Sequence, residues 1–343
     1  MTTGIATIPQ QSSVPVTAVP AATVAHFQET FADRPTLRLG TRPSPMALAQ
    51  ARLVRQRLLL LGVEVEIVPI TTSGDAWSGD LAELGGKGQF MKELDRHLLL
   101  GEVDFSVHAV KDIPGDVPLA RGTSLVAFLP REDVADVLVT RSSSTYTSLE
   151  EMPAGTRIGT SAVRRKAQLL RHRPDLHVDR IRGNVDHRIT RLDSEGAWEA
   201  LVLNAAGLRR VHAEHRSSQV LDLDVMCPAV GSGVIGLQAK MADTDLVELL
   251  RMLDHADTRT CVTAERTMLH TLQGRCNSPI AGHASFTADG QLSLRGMVFS
   301  REGGRFVYSQ EWEKPNRAVE LGAWVGADLL RKGARDIIVG NAR

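Results

Sequence analysis

Basic residues are concentrated in one short part of this sequence. Between Arg157 and Arg191, ten Arg or Lys residues stand against three Asp, an excess of seven positive charges in a chain whose formal net charge is zero. A charge run is usually a solvated face, but here Arg164 and Arg165 fall in the first turns of the helix predicted after the strand-like run 158–160. Because the backbone N–H groups and the dipole at a helix N-terminus favour negative charge, the spacing predicts a carboxylate or phosphate site.

The candidate acid–base group is Asp112. The segment 107–114 (Val-His-Ala-Val-Lys-Asp-Ile-Pro) places this residue at the carboxyl end of a predicted strand, directly after Lys111. An Asp before a proline turn is commonly only a turn residue. Beside cationic helix starts, however, Asp112 would be the only acid of a basic cleft, with its charge and hydrogen bonding available for acid–base work.

The candidate nucleophile is Cys276. It lies in a predicted loop over 274–279 next to Arg275, and an adjacent guanidinium lowers the pKa of an exposed thiol. An unreactive free cysteine is the usual alternative; it suits Cys261, which lies inside a predicted helix, while Cys227 is undecided. Three widely spaced cysteines argue against a disulfide framework or a zinc cluster and favour a reducing cytoplasm.

The composition predicts a globular protein of two or three domains. The 343 residues are 43% hydrophobic and 23% charged, and no apolar run approaches the roughly 18 residues of a membrane-spanning helix. Neutral overall charge gives no support to nucleic-acid binding. The pattern Gly-x-Gly-x-x-Gly at 231–236 suggests a dinucleotide-dependent oxidoreductase, but residues 226–229 (Met-Cys-Pro-Ala) are a poor match to the buried strand that must precede it. Residues 1–34 are predicted to be disordered.

A strand–turn–helix unit occurs twice. Residues 37–40 form a predicted strand, and the helix predicted over 45–61 has Ser44 as its N-cap; the run 157–172 repeats this design. Further strands alternate with helices, which predicts two similar α/β domains with mainly parallel sheets and ligands at the carboxyl ends of strands. After residue 256, a helix, a Gly/Pro loop, alternating strands and a closing helix predict a smaller α+β domain.

From residue 37 to about residue 284 the sequence resembles the porphobilinogen deaminase (hydroxymethylbilane synthase) family. The resemblance rests on specific motifs in order: Leu-Gly-Thr-Arg-Pro-Ser-Pro (39–45), Gly-Lys-Gly-Gln-Phe-Met-Lys-Glu-Leu (86–94), 107–114, 159–168, Arg-Gly-Asn-Val (182–185), Ala-Ala-Gly-Leu-Arg-Arg (205–210), Pro-Ala-Val-Gly (228–231) and the loop of Cys276. It implies two domains like periplasmic binding proteins and a third that carries the cysteine. The expected segments are a disordered extension over 1–35, a first α/β domain over 36–130 and 232–252, a second over 131–231, and an α+β domain over 256–343.

The same resemblance implies the chemistry. Cys276 would hold a dipyrromethane cofactor through a thioether, and four porphobilinogen units would be joined head to tail with loss of ammonia before water releases the linear hydroxymethylbilane. Asp112 would hydrogen-bond pyrrole N–H groups and stabilise the cationic azafulvene formed as the amine leaves. We therefore expect a monomeric transferase of tetrapyrrole and heme biosynthesis in the cytoplasm, with porphobilinogen as its partner and no metal, membrane or nucleic acid.

Each pyrrole carries an acetate and a propionate, so the resemblance also explains the excess of basic residues. Charged hydrogen bonds to carboxylates contribute roughly 1.5 to 3 kcal/mol each. The positions expected to hold the cofactor, besides Cys276, are Ser44, Lys87, Lys111, Arg164 and Arg165. The positions expected to bind substrate are Arg42, Arg182, Arg188 and Arg210.

Six positions expected near the ligand depart from the residue usual in the family: Ala109, Ala162, His187, Asn204, Ser232 and Glu83. The usual residues there are Ser, Ser, Thr, Ala, Gln and, in many members, Lys. These changes leave a diverged paralogue with a different or shorter oligopyrrole product as an alternative. A non-catalytic anion-binding protein is a weaker one, because Cys276 and Asp112 are both present.

Overall fold

The computed structural model describes residues 19–77, 88–274 and 278–340. These residues form two compact units. The first unit consists of the described residues of Gln10–Glu132 and Gly233–Arg259, and the second of those of Asp133–Ser232 and Thr260–Arg343. No helix within the described ranges is both long enough and apolar enough to cross a lipid bilayer.

Strands and helices alternate along most of the chain. The strands are β1 (Leu37–Thr41), β2 (Val65–Pro69), β3 (Phe105–Ala109), β4 (Thr123–Phe128), β5 (Asp136–Thr140), β6 (Arg157–Thr160), β7 (His177–Arg180), β8 (Ala200–Asn204), β9 (Gln219–Val220), β10 (Ile235–Lys240), β11 (Ile280–Phe286), β12 (Leu292–Phe299) and β13 (Phe306–Glu313). The helices are α1 (Ala21–Thr30), α2 (Pro45–Leu59), α3 (Ser73–Ala76), α4 (Lys92–Leu99), α5 (Val163–His172), α6 (Val185–Glu195), α7 (Ala205–Arg210), α8 (Thr244–Arg251), α9 (Ala256–Thr271), α10 (Ala318–Arg331) and α11 (Ala334–Gly340).

The first strand–turn–helix unit forms as the sequence predicts. The hydroxyl of Ser44 accepts a hydrogen bond from the backbone N–H of Ala47 at 3.3 Å, and Pro45 occupies the first helical position, where its missing N–H is no loss. The helix ends at Leu59, two residues before the predicted end. Its buried residues recur every three or four positions and therefore turn one face to the sheet: Ala47, Gln50, Ala51, Val54 and Leu58.

The two α/β sheets have the same spatial arrangement of strands but different connections between them. The strand order is β2-β1-β3-β10-β4 in the first unit and β7-β6-β8-β5-β9 in the second. In each sheet the first three strands are parallel, as predicted, but β10 and β5 run antiparallel to both of their neighbours. The prediction of mainly parallel sheets missed these two strands, each of which joins its sheet directly from the other unit. With the smaller third sheet, the expected class of two α/β domains and a smaller α+β domain is confirmed.

The predicted disordered extension contains a helix. Within it, α1 buries Phe27 to 2% exposure in the core of the first unit. Just after this helix, Arg34 bonds Asp243 at 3.0 and 3.1 Å and Asp245 at 2.5 Å, which ties the segment to α8. The prediction of disorder is therefore wrong for residues 21–30, because an aromatic side chain and an arginine find distant partners that local composition does not reveal.

The third sheet, β11-β12-β13, is antiparallel and packs against α9 and α10. The turn between β12 and β13 rests on α5, where Lys166 Nζ lies 2.8 Å from Glu302 and the guanidinium of Arg171 lies 3.3 Å from the ring centre of Phe306. Gly303 in this turn has φ +73°, and a Cβ on it would lie 2.2 Å from the carbonyl oxygen of Ala167. The close approach of turn and helix backbone thus requires glycine.

Candidate active site

In the first unit, Arg42 and Asp112 meet at the carboxyl ends of neighbouring strands. Arg42 follows β1, and Asp112 closes a helical turn that follows β3. Because β1 and β3 are adjacent and parallel, their carboxyl ends lie at one edge of the sheet. Arg42 Nη1 lies 3.5 Å from Asp112 Oδ2. Both residues are predicted from the sequence, and the structure brings them together.

A second carboxylate, which the sequence analysis missed, shares the guanidinium of Arg42. Asp75 accepts from Arg42 Nη2 at 2.5 Å and from Nε at 3.1 Å. Burial alone would raise the pKa of Asp75, but the hydrogen bond and charge of Arg42 outweigh it and hold this pKa below its ordinary value. Asp112 is therefore not the only acid here. The sequence carried a signal: Thr72 and Asp75 form a reciprocal capping box at α3, and Thr-x-x-Asp spacing is typical of helix starts.

Ser44 and Lys111 lie near these groups along the chain. The hydroxyl of Ser44 already caps α2, and Lys111 is half-buried in the turn that ends at Asp112. The ring of Phe90 covers Arg42 at 4.0 Å, a distance at which a guanidinium is attracted to an aromatic face. Asp75, Asp112 and Phe90 together hold this guanidinium in one position.

In the second unit, one buried carboxylate holds the two arginines of the predicted anion site. Arg164 Nη2 donates to Asp136 at 2.5 Å and Arg165 Nη2 at 2.8 Å. Arg164 also donates to the carbonyl oxygen of Cys227, and Arg165 to that of Val202 at 3.3 Å. Both side chains are at least nine-tenths buried, and Asp136 is 1% exposed. The two arginines are thus anchored from within the unit.

The electrostatics of Asp136 follow from these contacts. Burial raises the pKa of a carboxylate, but the charges and hydrogen bonds of Arg165 and Arg164 lower the pKa of Asp136 far below its ordinary value. The sequence analysis missed this residue. Its only local signal is an acid directly before the apolar run that becomes β5, an unusual place for a charge unless it is paired.

Three further predicted arginines follow the other strands of the second sheet. Arg182 comes after β7, Arg188 lies in the first turns of α6, and Arg210 ends α7. Arg188 Nε donates to the carbonyl oxygen of Gly183 at 2.6 Å. Burial, together with the positive charges of Arg165 and Arg182, lowers the pKa of Arg188 to about 10. Arg188 is therefore close enough to Arg165 and Arg182 to be repelled by both.

This cluster of like charges fits a ligand that carries several carboxylates. Besides the mutual repulsion at Arg188, the buried Nε of Arg165 has no hydrogen-bond partner within the described residues. A dipyrromethane bears an acetate and a propionate on each ring, so it would neutralise such a cluster. Cys276, Lys87 and Glu83 lie outside the described residues, and their predicted roles stay predictions.

The other two cysteines have no access to a ligand. Cys227 is 1% exposed and Cys261 6% exposed. Burial raises the pKa of the Cys227 thiol to about 12, so it stays protonated and unreactive at neutral pH. Cys227, which the sequence left undecided, is therefore a buried and unreactive cysteine. Among the described residues, no group of three or more His, Cys, Asp or Glu side chains could hold a metal ion.

The positions that depart from the family's usual residues divide into two groups. Ala109 ends β3, Ala162 precedes α5, and His187 is exposed in the first turn of α6, all at the ends of strands or helices. Asn204 and Ser232, in contrast, are 7% and 4% exposed and lie within hydrogen-bonding distance of each other. The expectation that these positions lie near the ligand stays a prediction for both groups.

The described residues thus form an α/β protein in which each sheet carries charged side chains near the ends of its strands, Arg42 with two acids in the first unit and a cluster of arginines in the second. A family model for porphobilinogen deaminase, dipyromethane cofactor binding domain, matches residues 37–248, and one for the porphobilinogen deaminase C-terminal domain matches residues 259–331. Porphobilinogen deaminase 2 of Streptomyces coelicolor is 46% identical over 308 residues, 89% of this chain and 97% of the relative. Porphobilinogen deaminase of Acidithiobacillus ferrooxidans is 44% identical over 306 residues, 88% and 97% of the two chains.

Similarity to solved structures is weaker. A methionine-binding protein, MetQ, has a TM-score of 0.40 at 11% identity, covering 68% of this chain and 94% of that one. A periplasmic substrate-binding protein of an ABC transporter from Coxiella burnetii has a TM-score of 0.39 at 13% identity, covering 68% of this chain and 97% of that one.

From the family models and the curated relatives, the chain belongs to the porphobilinogen deaminase family. It is a transferase that condenses porphobilinogen head to tail, with dipyrromethane as its cofactor.

Proposed function

We propose that Asp112 is the catalytic carboxylate of this condensation and that the predicted arginines hold the carboxylates of the growing pyrrole chain. The observation that carries this assignment is the meeting of Arg42 and Asp112, 3.5 Å apart, at the carboxyl ends of β1 and β3. A cation and an acid side by side can recognise a substrate that carries both carboxylates and a ring N–H group.

Asp112 acts through its negative charge. It accepts hydrogen bonds from pyrrole N–H groups and stabilises the positive charge that develops on the substrate as ammonia leaves. Arg42, held by Asp75, lies beside Asp112 and offers its remaining donor capacity to a substrate carboxylate. Because these partners are already in place, little reorganisation is needed when substrate arrives.

The second unit supplies most of the positive charge. Arg188 is repelled by both Arg165 and Arg182, so a carboxylate that binds beside it relieves an unfavourable interaction as well as making a new one. Arg164 and Arg210 complete the predicted set, with Ser44, Lys87 and Lys111 as further cofactor contacts. When bound through Cys276, the dipyrromethane supplies the pyrrole carbon to which the first substrate unit is added.

The remaining assignments concern the whole chain. We place the enzyme in the cytoplasm as a monomer, with hydroxymethylbilane as its product, on the pattern of cysteines and the family resemblance. The division into domains over 36–130 with 232–252, 131–231 and 256–343 is supported by the three separate sheets.

Intact-mass measurement of the purified protein tests the cofactor assignment. The wild type should carry an adduct of two pyrrole units, and Cys276→Ser should not. Cys261→Ser, which changes a buried cysteine, should keep the adduct. A bare wild-type mass that stays bare after incubation with porphobilinogen would contradict covalent anchoring and favour an anion-binding protein.

Turnover of Asp112→Asn tests the catalytic assignment. This variant should keep the wild-type circular dichroism spectrum and thermal midpoint while losing nearly all porphobilinogen consumption. Wild-type-like activity would remove Asp112 from the mechanism. The mass of the wild-type product distinguishes hydroxymethylbilane from a shorter oligopyrrole.

A further inference from the structure

The described chain passes between the two compact units at 132/133, at 232/233 and, within α9, at 259/260. The segments at the first two of these points are called the crossing segments. On the side of the first unit, the two crossing segments are joined through their backbones. Glu132 N–H donates to the carbonyl oxygen of Gly233 at 3.0 Å. Gly233 has φ +77°, and a Cβ on it would lie 2.4 Å from the carbonyl oxygen of Glu132. The two segments therefore run in direct contact there.

On the side of the second unit, a side chain reaches both segments. The amide nitrogen of Asn204 lies 3.4 Å from the carbonyl oxygen of Val134, 3.2 Å from that of Ala135 and 3.4 Å from the hydroxyl oxygen of Ser232. Val134 and Ala135 lie just after the first crossing, and Ser232 lies just before the second. One buried amide group thus contacts the chain at both crossings.

The backbone around Ser232 explains why a side-chain contact matters there. Gly231 and Gly233 both have positive φ angles, +71° and +77°, a conformation that only glycine adopts easily. Ser232 lies between these two residues. Such a segment has more alternative conformations than a regular strand. A hydrogen bond from the amide of Asn204 to the hydroxyl of Ser232 restricts it.

We propose that Asn204 and Ser232 work as a coupled pair of positioning residues that holds the two crossing segments together. The proposal rests on the proposed function, because it assigns the pair a role in the repeated condensation cycle. The family resemblance implies Ala and Gln at these two positions. With Ala at 204 and Gln at 232, the amide group would come from the other segment. The two substitutions together would then move the amide group from residue 232 to residue 204.

Hydrogen exchange measured by mass spectrometry tests the pair in the full-length enzyme. Asn204→Ala should raise amide exchange about tenfold in both 133–136 and 230–234. Ser232→Ala, which removes a single oxygen and is the safer variant for folding, should produce a smaller rise in the same two segments. The double variant Asn204→Ala/Ser232→Gln should return both segments to within about twofold of wild type. Asn316→Ala, which changes an exposed asparagine of the second unit, is the control.

Steady-state kinetics give a readout that a purely structural role would not change. Asn204→Ala should lower kcat several-fold with KM for porphobilinogen altered less than about twofold, and the double variant should recover kcat. The proposal is overturned if exchange rises in one segment only, or if the double variant recovers neither exchange nor kcat. A wild type that does not consume porphobilinogen would instead refute the proposed function, while the exchange data would still decide the coupling of the pair.

Discussion

Single residues determine how the positive charge of the second unit is held. Asp136 accepts from both Arg164 and Arg165 while it is almost fully buried. A buried ion pair contributes little relative to an apolar replacement, but removal of one partner leaves an uncompensated buried charge. Here the loss of the Asp136 carboxylate would leave two buried positive charges, those of Arg164 and Arg165, uncompensated.

Asp136→Asn should lower the free energy of unfolding by about 3 to 5 kcal/mol at pH 7. The pKa of Asp136 is lower in the folded than in the unfolded protein, so its contribution is full above the unfolded pKa of about 4 and is lost as pH falls toward the folded pKa. Denaturant unfolding between pH 3 and pH 7 measures both effects. A difference between variant and wild type that stays constant over this range would contradict the assignment.

The sequence patterns pointed to basic residues for the site and did not reveal Asp75 and Asp136, the acids that pair with them. Arg164, Arg165 and Asp112 could be found because each lies at the end of a strand or the start of a helix that local patterns reveal. Asp136 is 28 residues away from Arg164 along the chain, and no local pattern encodes such a pairing. Asp75 could have been found from its capping-box spacing, but its contact with Arg42 could not.

At the level of secondary-structure elements, α1 is an added support of the first unit. It precedes the residues that match the family model and contacts the chain near Gly62, where a Cβ would lie 2.7 Å from the side chain of Gln28. Through Phe27 and Arg34 the segment joins α8 to the sheet core. Its contacts are apolar and ionic, and it carries none of the proposed site residues.

Phe27→Ala should lower the free energy of unfolding by about 3 to 5 kcal/mol, because it empties a fully buried aromatic site. Leu60→Ala, which shortens a side chain that is 50% exposed, should change it by less than about 0.5 kcal/mol. Activity at 25 °C should be unchanged in both. Thermal unfolding and porphobilinogen consumption are the measurements, and a loss of activity in folded Phe27→Ala would give α1 a role beyond support.

The turn between β12 and β13 supports α5, the helix that carries Arg164 and Arg165. Gly303→Ala should therefore cost about 1 to 3 kcal/mol more than Gly290→Ala. Gly290 has a similar φ of +80° but nothing within 4 Å of an added Cβ, so its substitution isolates backbone strain from the clash with Ala167. Only Gly303→Ala should also raise KM for porphobilinogen. Equal stability losses in the two variants would show that the turn does not press on α5.

The strand elements also show where sequence patterns stop being informative. The parallel strands were recognisable because each is followed by a helix in a repeating order. An antiparallel strand such as β5 or β10 has the same apolar composition, and its direction depends on where the chain enters the sheet. The point of entry depends on the path of the whole chain, so it cannot be predicted from a short stretch of sequence.

For the molecule as a whole, zero net charge and a local excess of arginine lead to a specific response to salt. Little long-range attraction acts on an anionic substrate, so ionic strength should act mainly on contacts within the site. Raising NaCl from about 0.05 to 0.5 M should increase KM for porphobilinogen about three- to tenfold and change kcat less than twofold. Choline chloride should give the same curve. A KM independent of both salts would argue against carboxylate recognition by the arginine cluster.

The topology also sets an order for synthesis on the ribosome. The sheet of the second unit is complete once β9 has emerged at Val220, whereas the sheet of the first unit, begun at Leu37, must wait for β10, which ends at Lys240 and fills the place between β3 and β4. The unit that starts first along the chain is thus the last α/β unit that can close. Until then, β3 and β4 keep unpaired edges in the nascent protein, which makes this interval the time when the chain is most exposed to aggregation.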